Sequence, residues 1–163
     1  IRCDDSGMTE SFVQHDNFLA DADATATLGA RLARNLPQHA VVHLHGDLGA
    51  GKSTLARALL RALGVTGTIR SPTYTLVEQY PLAQGGTALH LDLYRIGDPG
   101  ELEFLGLDGD IRLWLVEWPQ RGQGALPPAD LDIELAVEGE GRRCRLQPRT
   151  ATGRAWVEAM ASG

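Results

Sequence analysis

Glycines at positions 46, 49 and 51 stand directly ahead of Lys52 and Ser53, and Gly46-Asp47-Leu48-Gly49-Ala50-Gly51-Lys52-Ser53 fits G-x-x-x-x-G-K-[ST] at every defined position. Residues of these types in this order suit one chemistry, the holding of a nucleoside triphosphate. Glycine lets the backbone turn tightly and aim its N–H groups at phosphate oxygens. Asp47, Leu48, Gly49, Ala50, Gly51, Lys52, Ser53 and Thr54 would form that cradle, ending in the first turn of a helix whose dipole favours negative charge. Lys52 would reach the β- and γ-phosphates, and the Ser53 hydroxyl would ligate Mg²⁺.

Hydrolysis needs an acid as well, for the metal or for the attacking water. Glu117 directly follows the apolar run Leu113–Val116. In an open α/β sheet the carboxyl ends of the strands face the ligand crevice, so Glu117 is the leading candidate for metal binding or water orientation. Asp92, within His90-Leu91-Asp92-Leu93-Tyr94, shares a strand face with the polar residues and would serve metal or water, or else pair with Arg95 or Arg70. Thr73, in Ser71-Pro72-Thr73-Tyr74-Thr75, lies where a γ-phosphate-sensing segment belongs, although a plain proline turn into a strand reads the same way. Trp118, beside Glu117, is either core or a contact of the nucleotide site. His43 and His45 share one strand face, but no third ligand of suitable spacing accompanies them, which favours packed or solvent-facing histidines.

The elements that must position these groups follow from periodicity. Ala24, Leu28, Leu32 and Leu36 make one stripe of a helix capped by Asp21 or Asp23 and ended by Pro37. Val41–His45 is a strand leading into the glycines, and Lys52–Leu63 is a helix with Gly64 just past its end. Strand, glycine turn, helix is the setting a phosphate cradle requires. Thr75–Tyr80 and Thr87–Tyr94 read as strands. Asp98-Pro99-Gly100-Glu101 opens a short helix through a capping box, burying Leu102 and Leu105. Leu113–Val116 is a strand of a parallel sheet buried on both faces. Leu131–Val137 and Arg143–Gln147 alternate as an antiparallel pair, and Gly153–Met160 closes the chain as a helix. The expected fold is α/β, a P-loop NTPase with a mainly parallel sheet flanked by helices and C-terminal antiparallel strands. Residues 1–20 show no sustained periodicity and are set aside as a poorly ordered extension, with Met8 a possible natural start; residues 21–163 form a single domain.

Composition narrows the function classes. The chain has 163 residues, 43% of them hydrophobic and 22% charged, the balance of a globular domain. Its apolar runs are far short of the ~20 residues a membrane span needs. Cys3 and Cys144 form neither a disulfide framework nor a zinc motif, which with the missing leader pattern favours the cytoplasm. A formal net charge of −6 disfavours direct binding of nucleic acid by the whole chain. Arg142, Arg143, Arg145, Arg149 and Arg154 are a local exception, read either as a solvated strand face or as a contact for RNA or an acidic partner.

The segments GDLGAGKS at Gly46–Ser53, SPTYTLV at Ser71–Val77, HLDLYR at His90–Arg95, ELEFLGL at Glu101–Leu107 and LVEWPQ at Leu115–Gln120, in this order, resemble the TsaE family, also known as YjeE. The resemblance spans roughly Val41–Pro128. It implies a bacterial ATPase of tRNA threonylcarbamoyladenosine synthesis that binds ATP and Mg²⁺ and acts with TsaD and TsaB, touching tRNA only through that complex. It also implies Lys52 and Ser53 as the loop pair, Asp92 and Glu117 as the acids, and Trp118 and Thr73 beside the nucleotide.

Competing functions stay open on sequence alone. A small-molecule kinase would need an arginine-bearing lid, and only Arg70 and Arg95 lie between Gly64 and Asp110. A GTPase would need a guanine-reading segment such as N-K-x-D, which neither Asn17 nor Asn35 begins. A nucleotide-gated interaction module would need binding without turnover.

Overall fold

A computed structural model describes residues 12–162 except 74, 106 and 108. Its elements in chain order are β1 (His15–Leu19), α1 (Ala22–Arg34), β2 (Ala40–His45), α2 (Lys52–Ala62), β3 (Val77–Pro81) and β4 (Thr87–Asp92). A 3₁₀ segment at Pro99–Leu105 then precedes β5 (Ile111–Glu117), and another at Pro119–Gly122 precedes β6 (Leu131–Glu138), β7 (Gly141–Pro148) and α3 (Ala151–Ser162). The strands form one seven-stranded sheet in the order β1-β7-β6-β2-β5-β4-β3. Its centre, β6-β2-β5-β4, is parallel. β3 is antiparallel at one edge, β7 and β1 at the other. The result is a mixed α/β fold.

Parallel central strands explain the apolar sequence of β5. Its Leu113 and Leu115 join the core beneath the helices, while Val116 and Trp114 join the core on the other face. The helices do not flank the sheet on both sides as expected. The buried apolar side chains of α1, α2 and α3 all belong to one cluster, with Val42, Leu44, Leu131 and Cys144, and none belongs to the other. Chirality accounts for this. Travelling from β2 out to β4, the right-handed crossover carries α2 over one face; returning from β4 to β5 and from β5 to β6, it must pass over the opposite face. Those returns contain only the two 3₁₀ segments, so that face is covered thinly, by Leu102, Leu107, Leu126 and their neighbours.

α1 is capped by Asp21, whose carboxylate accepts from the Ala24 N–H at 2.9 Å. Where α1 crosses α2, a Cβ on Gly29 would lie 2.8 Å from the Ala58 Cβ, so the helices meet at glycine. Trp156 of α3 donates its indole N–H to the Leu32 carbonyl at 3.1 Å, tying the third helix to the first.

Several elements differ from the sequence reading, and β4 stops at Asp92 rather than Tyr94. Residues 1–20 are not wholly outside the fold, because His15–Leu19 pairs with Leu146–Arg142 of β7 and buries Leu19. β3 begins at Val77 rather than Thr75, since Leu76 adopts a left-handed φ of 69° that breaks the strand. The segment after Asp98 is 3₁₀ rather than α, although its capping box is made: the Glu101 carboxylate accepts from the Asp98 N–H at 3.0 Å, and Asp98 accepts from the Gly100 N–H at 2.9 Å. Tyr74 and the Leu105 side chain lie outside the described residues.

Candidate functional site

The glycine loop bridges the end of β2 and the start of α2, and its three glycines take positive φ: 143° at Gly46, 82° at Gly49 and 105° at Gly51. A Cβ on Gly46 would sit 2.4 Å from the Leu135 carbonyl oxygen, so only glycine fits there. Gly51 caps α2 without a side-chain acceptor, so the cap spends none of the first-turn N–H groups. Ala50 is buried, while Asp47, Leu48, Gly49 and Thr54 are exposed around the rim.

Lys52 projects back across the loop. Its ammonium donates to the Gly46 carbonyl and lies 4.0 Å from the centre of the Trp118 ring. It is 5% exposed, and burial pushes its pKa below the ordinary 10.5 against the pull of Glu117, Asp92 and Asp47. Trp118, with φ of 57°, is turned so that its ring also meets Tyr94 at 4.9 Å.

Ser53, one residue on, donates to both oxygens of Glu117, at 3.2 Å and 3.0 Å. Glu117 ends β5, and Asp92 ends β4 opposite it in register. Both carboxylates are buried, yet neither lacks donors. Asp92 accepts from the Thr73 hydroxyl at 3.3 Å and from the Tyr94 N–H at 3.0 Å. Thr73 in turn shares a 2.7 Å hydrogen bond with the Ser71 hydroxyl. Residues singled out from sequence at 46–54, 73, 92, 117 and 118 thus converge on one end of the sheet. Backbone donors, a cation, a hydroxyl and two carboxylates in that grouping match the donor set of a metal-bound polyphosphate.

Two participants escaped the sequence reading. His90 Nε2 lies 2.6 Å from Glu117 Oε2 beneath the site. Its place two residues before Asp92, hence on the same strand face, was the available clue. Arg142 was read as one of a basic cluster on a strand face. It instead donates to the Ala50 carbonyl at 3.1 Å and the Gly49 carbonyl at 3.2 Å, bracing the loop from β7. The remaining arginines of that cluster are largely occupied within the molecule: Arg143 with Glu138, Arg145 with Asp16 and Glu134, Arg149 with Asp132. Arg154 stacks over Phe12. That pattern favours the solvated-face reading over a contact for RNA.

A cavity of about 250 Å³ adjoins the loop, lined by Ala20, Ala50, Thr54, Leu135, Gly141 and Arg142 among others. A larger hollow of about 540 Å³, beside Ala33, Leu63 and Arg112, touches none of the site groups. His43 and His45 lie apart from the site. His45 Nε2 pairs with Asp132 at 2.8 Å, and His43 Nε2 has no partner among the described residues. Among the described residues no group of three could hold a metal.

The family model for threonylcarbamoyl adenosine biosynthesis protein TsaE matches residues 19–145. A TsaE from Haemophilus influenzae is 42% identical over 125 residues, 75% of this chain and 78% of that protein. One from Streptomyces coelicolor is 37% identical over 144 residues, covering 83% and 95% respectively. The crystal structure of YdiB from Bacillus subtilis superposes with a TM-score of 0.74 over 94% of this chain and 98% of that one; at 24% identity it bears on the fold alone.

Proposed function

This chain belongs to the TsaE family of threonylcarbamoyl adenosine biosynthesis proteins, and from that premise we propose that it is a P-loop NTPase that hydrolyses ATP with Mg²⁺. The observation that carries the reading is the contact of Ser53 with both oxygens of Glu117 at the mouth of the glycine loop. A hydroxyl and a carboxylate so joined are a pair of hard oxygen donors already gathered beside a phosphate cradle.

The residues fit the triphosphate and its metal. N–H groups from Gly49 to Thr54 would receive the phosphate oxygens, and Lys52 would leave the Gly46 carbonyl for the β- and γ-phosphates. Ser53 and Glu117 would hold Mg²⁺, which when bound supplies neutralising charge on those oxygens. Asp92, tied to Thr73, would orient the attacking water and respond to the γ-phosphate through the 71–73 segment. Trp118 would cover the phosphates from the side. The cavity bounded by Thr54, Leu135 and Arg142 would take the nucleoside.

Turnover would serve tRNA threonylcarbamoyladenosine synthesis in complex with TsaD- and TsaB-type partners, with tRNA contacted through that complex. No described helix is long and apolar enough to cross a membrane, and we place the activity in the cytoplasm, in a single domain over 21–163 that β1 extends. The test is reconstitution with both partners, measuring modified tRNA and phosphate release. Wild-type protein is expected to support both and Lys52→Ala neither; tRNA modified equally well without the chain would remove the pathway assignment.

A further inference from the structure

We infer that His90 is a positioning residue for Glu117, holding one oxygen of its carboxylate from the sheet side so that the other stays aimed at the metal. The inference rests on the function proposed above and goes beyond it by assigning the residue that orients the acid.

The geometry is specific. His90 is 2% exposed and Glu117 3%, and the 2.6 Å contact from Nε2 to Oε2 joins two adjacent parallel strands. The imidazole spends this one bond on Glu117: its other nitrogen, Nδ1, is buried without a partner among the described residues. A residue needed only to fill space would be cheaper as an aliphatic one, as Leu89 and Leu91 on either side are. A polar ring buried with one nitrogen unsatisfied is retained for what the other nitrogen does.

Among the described residues the other donor to Glu117 is Ser53, which stands in the first turn of α2 directly after the loop. When its hydroxyl turns its lone pair toward a metal, its hold on the carboxylate changes. The terminal torsion of glutamate is broad, so without a second anchor the carboxylate swings. His90 sits on β4 rather than on the loop and grips Oε2, which leaves Oε1 as the working oxygen. Donors that hold a metal-ligating carboxylate from behind are worth about 10–100-fold in affinity or activity.

The experiment compares His90→Leu, His90→Gln and His90→Asn in the full chain. The glutamine amide N–H reaches near the Nε2 position, whereas the asparagine amide falls short, near Nδ1. Expected are a kcat about 10–100-fold lower in His90→Leu and His90→Asn, substantial recovery in His90→Gln, and a raised Mg²⁺ requirement for nucleotide binding by calorimetry. Nucleotide affinity without Mg²⁺ stays at the wild-type level. Independently of turnover, the Nε2 proton of the nucleotide-free protein should give a downfield, exchange-protected NMR resonance that is lost in Glu117→Ala. If His90→Leu does not fold, the Gln and Asn variants still decide. Turnover unchanged in His90→Asn, or Gln and Asn equally impaired, overturns the assignment alone. Wild-type protein without Mg²⁺-dependent nucleotide binding overturns the proposed function and this inference with it.

Discussion

Asp92 and Glu117 stand opposite each other at the carboxyl ends of adjacent parallel strands, and each carboxylate has its own set of donors. Thr73 and the Tyr94 N–H serve Asp92, while Ser53 and His90 serve Glu117. Two buried acids placed side by side are therefore held by different donors, Asp92 from the segment before β3 and the turn after β4, Glu117 from the start of α2 and from β4 itself.

That division predicts separable defects. Glu117→Gln keeps the side chain's shape and removes its charge. ATP hydrolysis should fall by about 100-fold or more, and the enhancement of nucleotide affinity by Mg²⁺ should disappear. Asp92→Asn should lower hydrolysis to a similar degree and keep the Mg²⁺ enhancement. Phosphate release and calorimetry with and without Mg²⁺ separate the two. tRNA modification that persists in Glu117→Gln would show that binding alone suffices.

The Lys52 ammonium lies 4.0 Å from the Trp118 ring centre, so filling the loop must change the indole's surroundings. Adding Mg-ATP should shift Trp118 fluorescence. The change should vanish in Trp118→Phe, where Trp114 and Trp156 remain, and in Lys52→Ala, where the loop is not filled. Losing the cation–π contact by itself is worth about 1 kcal/mol.

Arg142 joins β7 to the loop through two carbonyls that no other described side chain reaches. Arg142→Ala should destabilise the protein by about 1–2 kcal/mol, as expected for hydrogen bonds from a charged donor. Nucleotide affinity should drop about tenfold, and amide exchange should quicken at 47–51. An exchange rate in that segment equal to wild type would show that the brace does not hold the loop.

His43 makes stability depend on pH. Burial lowers its pKa from the ordinary 6.5; Asp132 pulls it back up and His45 pushes it further down. Below 6.5 the unfolded chain then binds more protons than the folded one, so stability falls as pH falls through that range and is fully present above it. The urea midpoint should decline between about pH 7.5 and 5.5. His43→Asn, which cannot titrate, should flatten that decline. Asp132 works in a more acidic window. Burial raises its pKa, but hydrogen bonds from His45 and Arg149 outweigh this and leave it below 3.8, so its contribution is lost only as pH falls through that lower value.

The parts of this architecture legible from sequence were those written in consecutive residues. The glycine spacing, the helix behind it and the apolar run ending at Glu117 each carry their meaning locally, and the structure brings them together. β1 was missed because HDNFL lacks alternation: only Leu19 is buried, and the strand exists because β7 offers it an edge. Placement of all three described α-helices on one face depends on strand order, which no local pattern records. His90 and Arg142 acquire their roles from partners 27 and 92 residues away in the chain. For His90 the only local mark is its shared strand face with Asp92, which does not name Glu117, and an arginine in a charge-rich strand carries none.

All of the proposed reacting groups lie where β2, β4 and β5 end, so none of them stands at the ends where those strands begin. Gln38, Gln84 and Arg112 mark that far rim, beside the starts of β2, β4 and β5. A dye, a tether or a surface attachment at Gln84, in the turn between β3 and β4, would therefore leave the loop open to whatever docks over it.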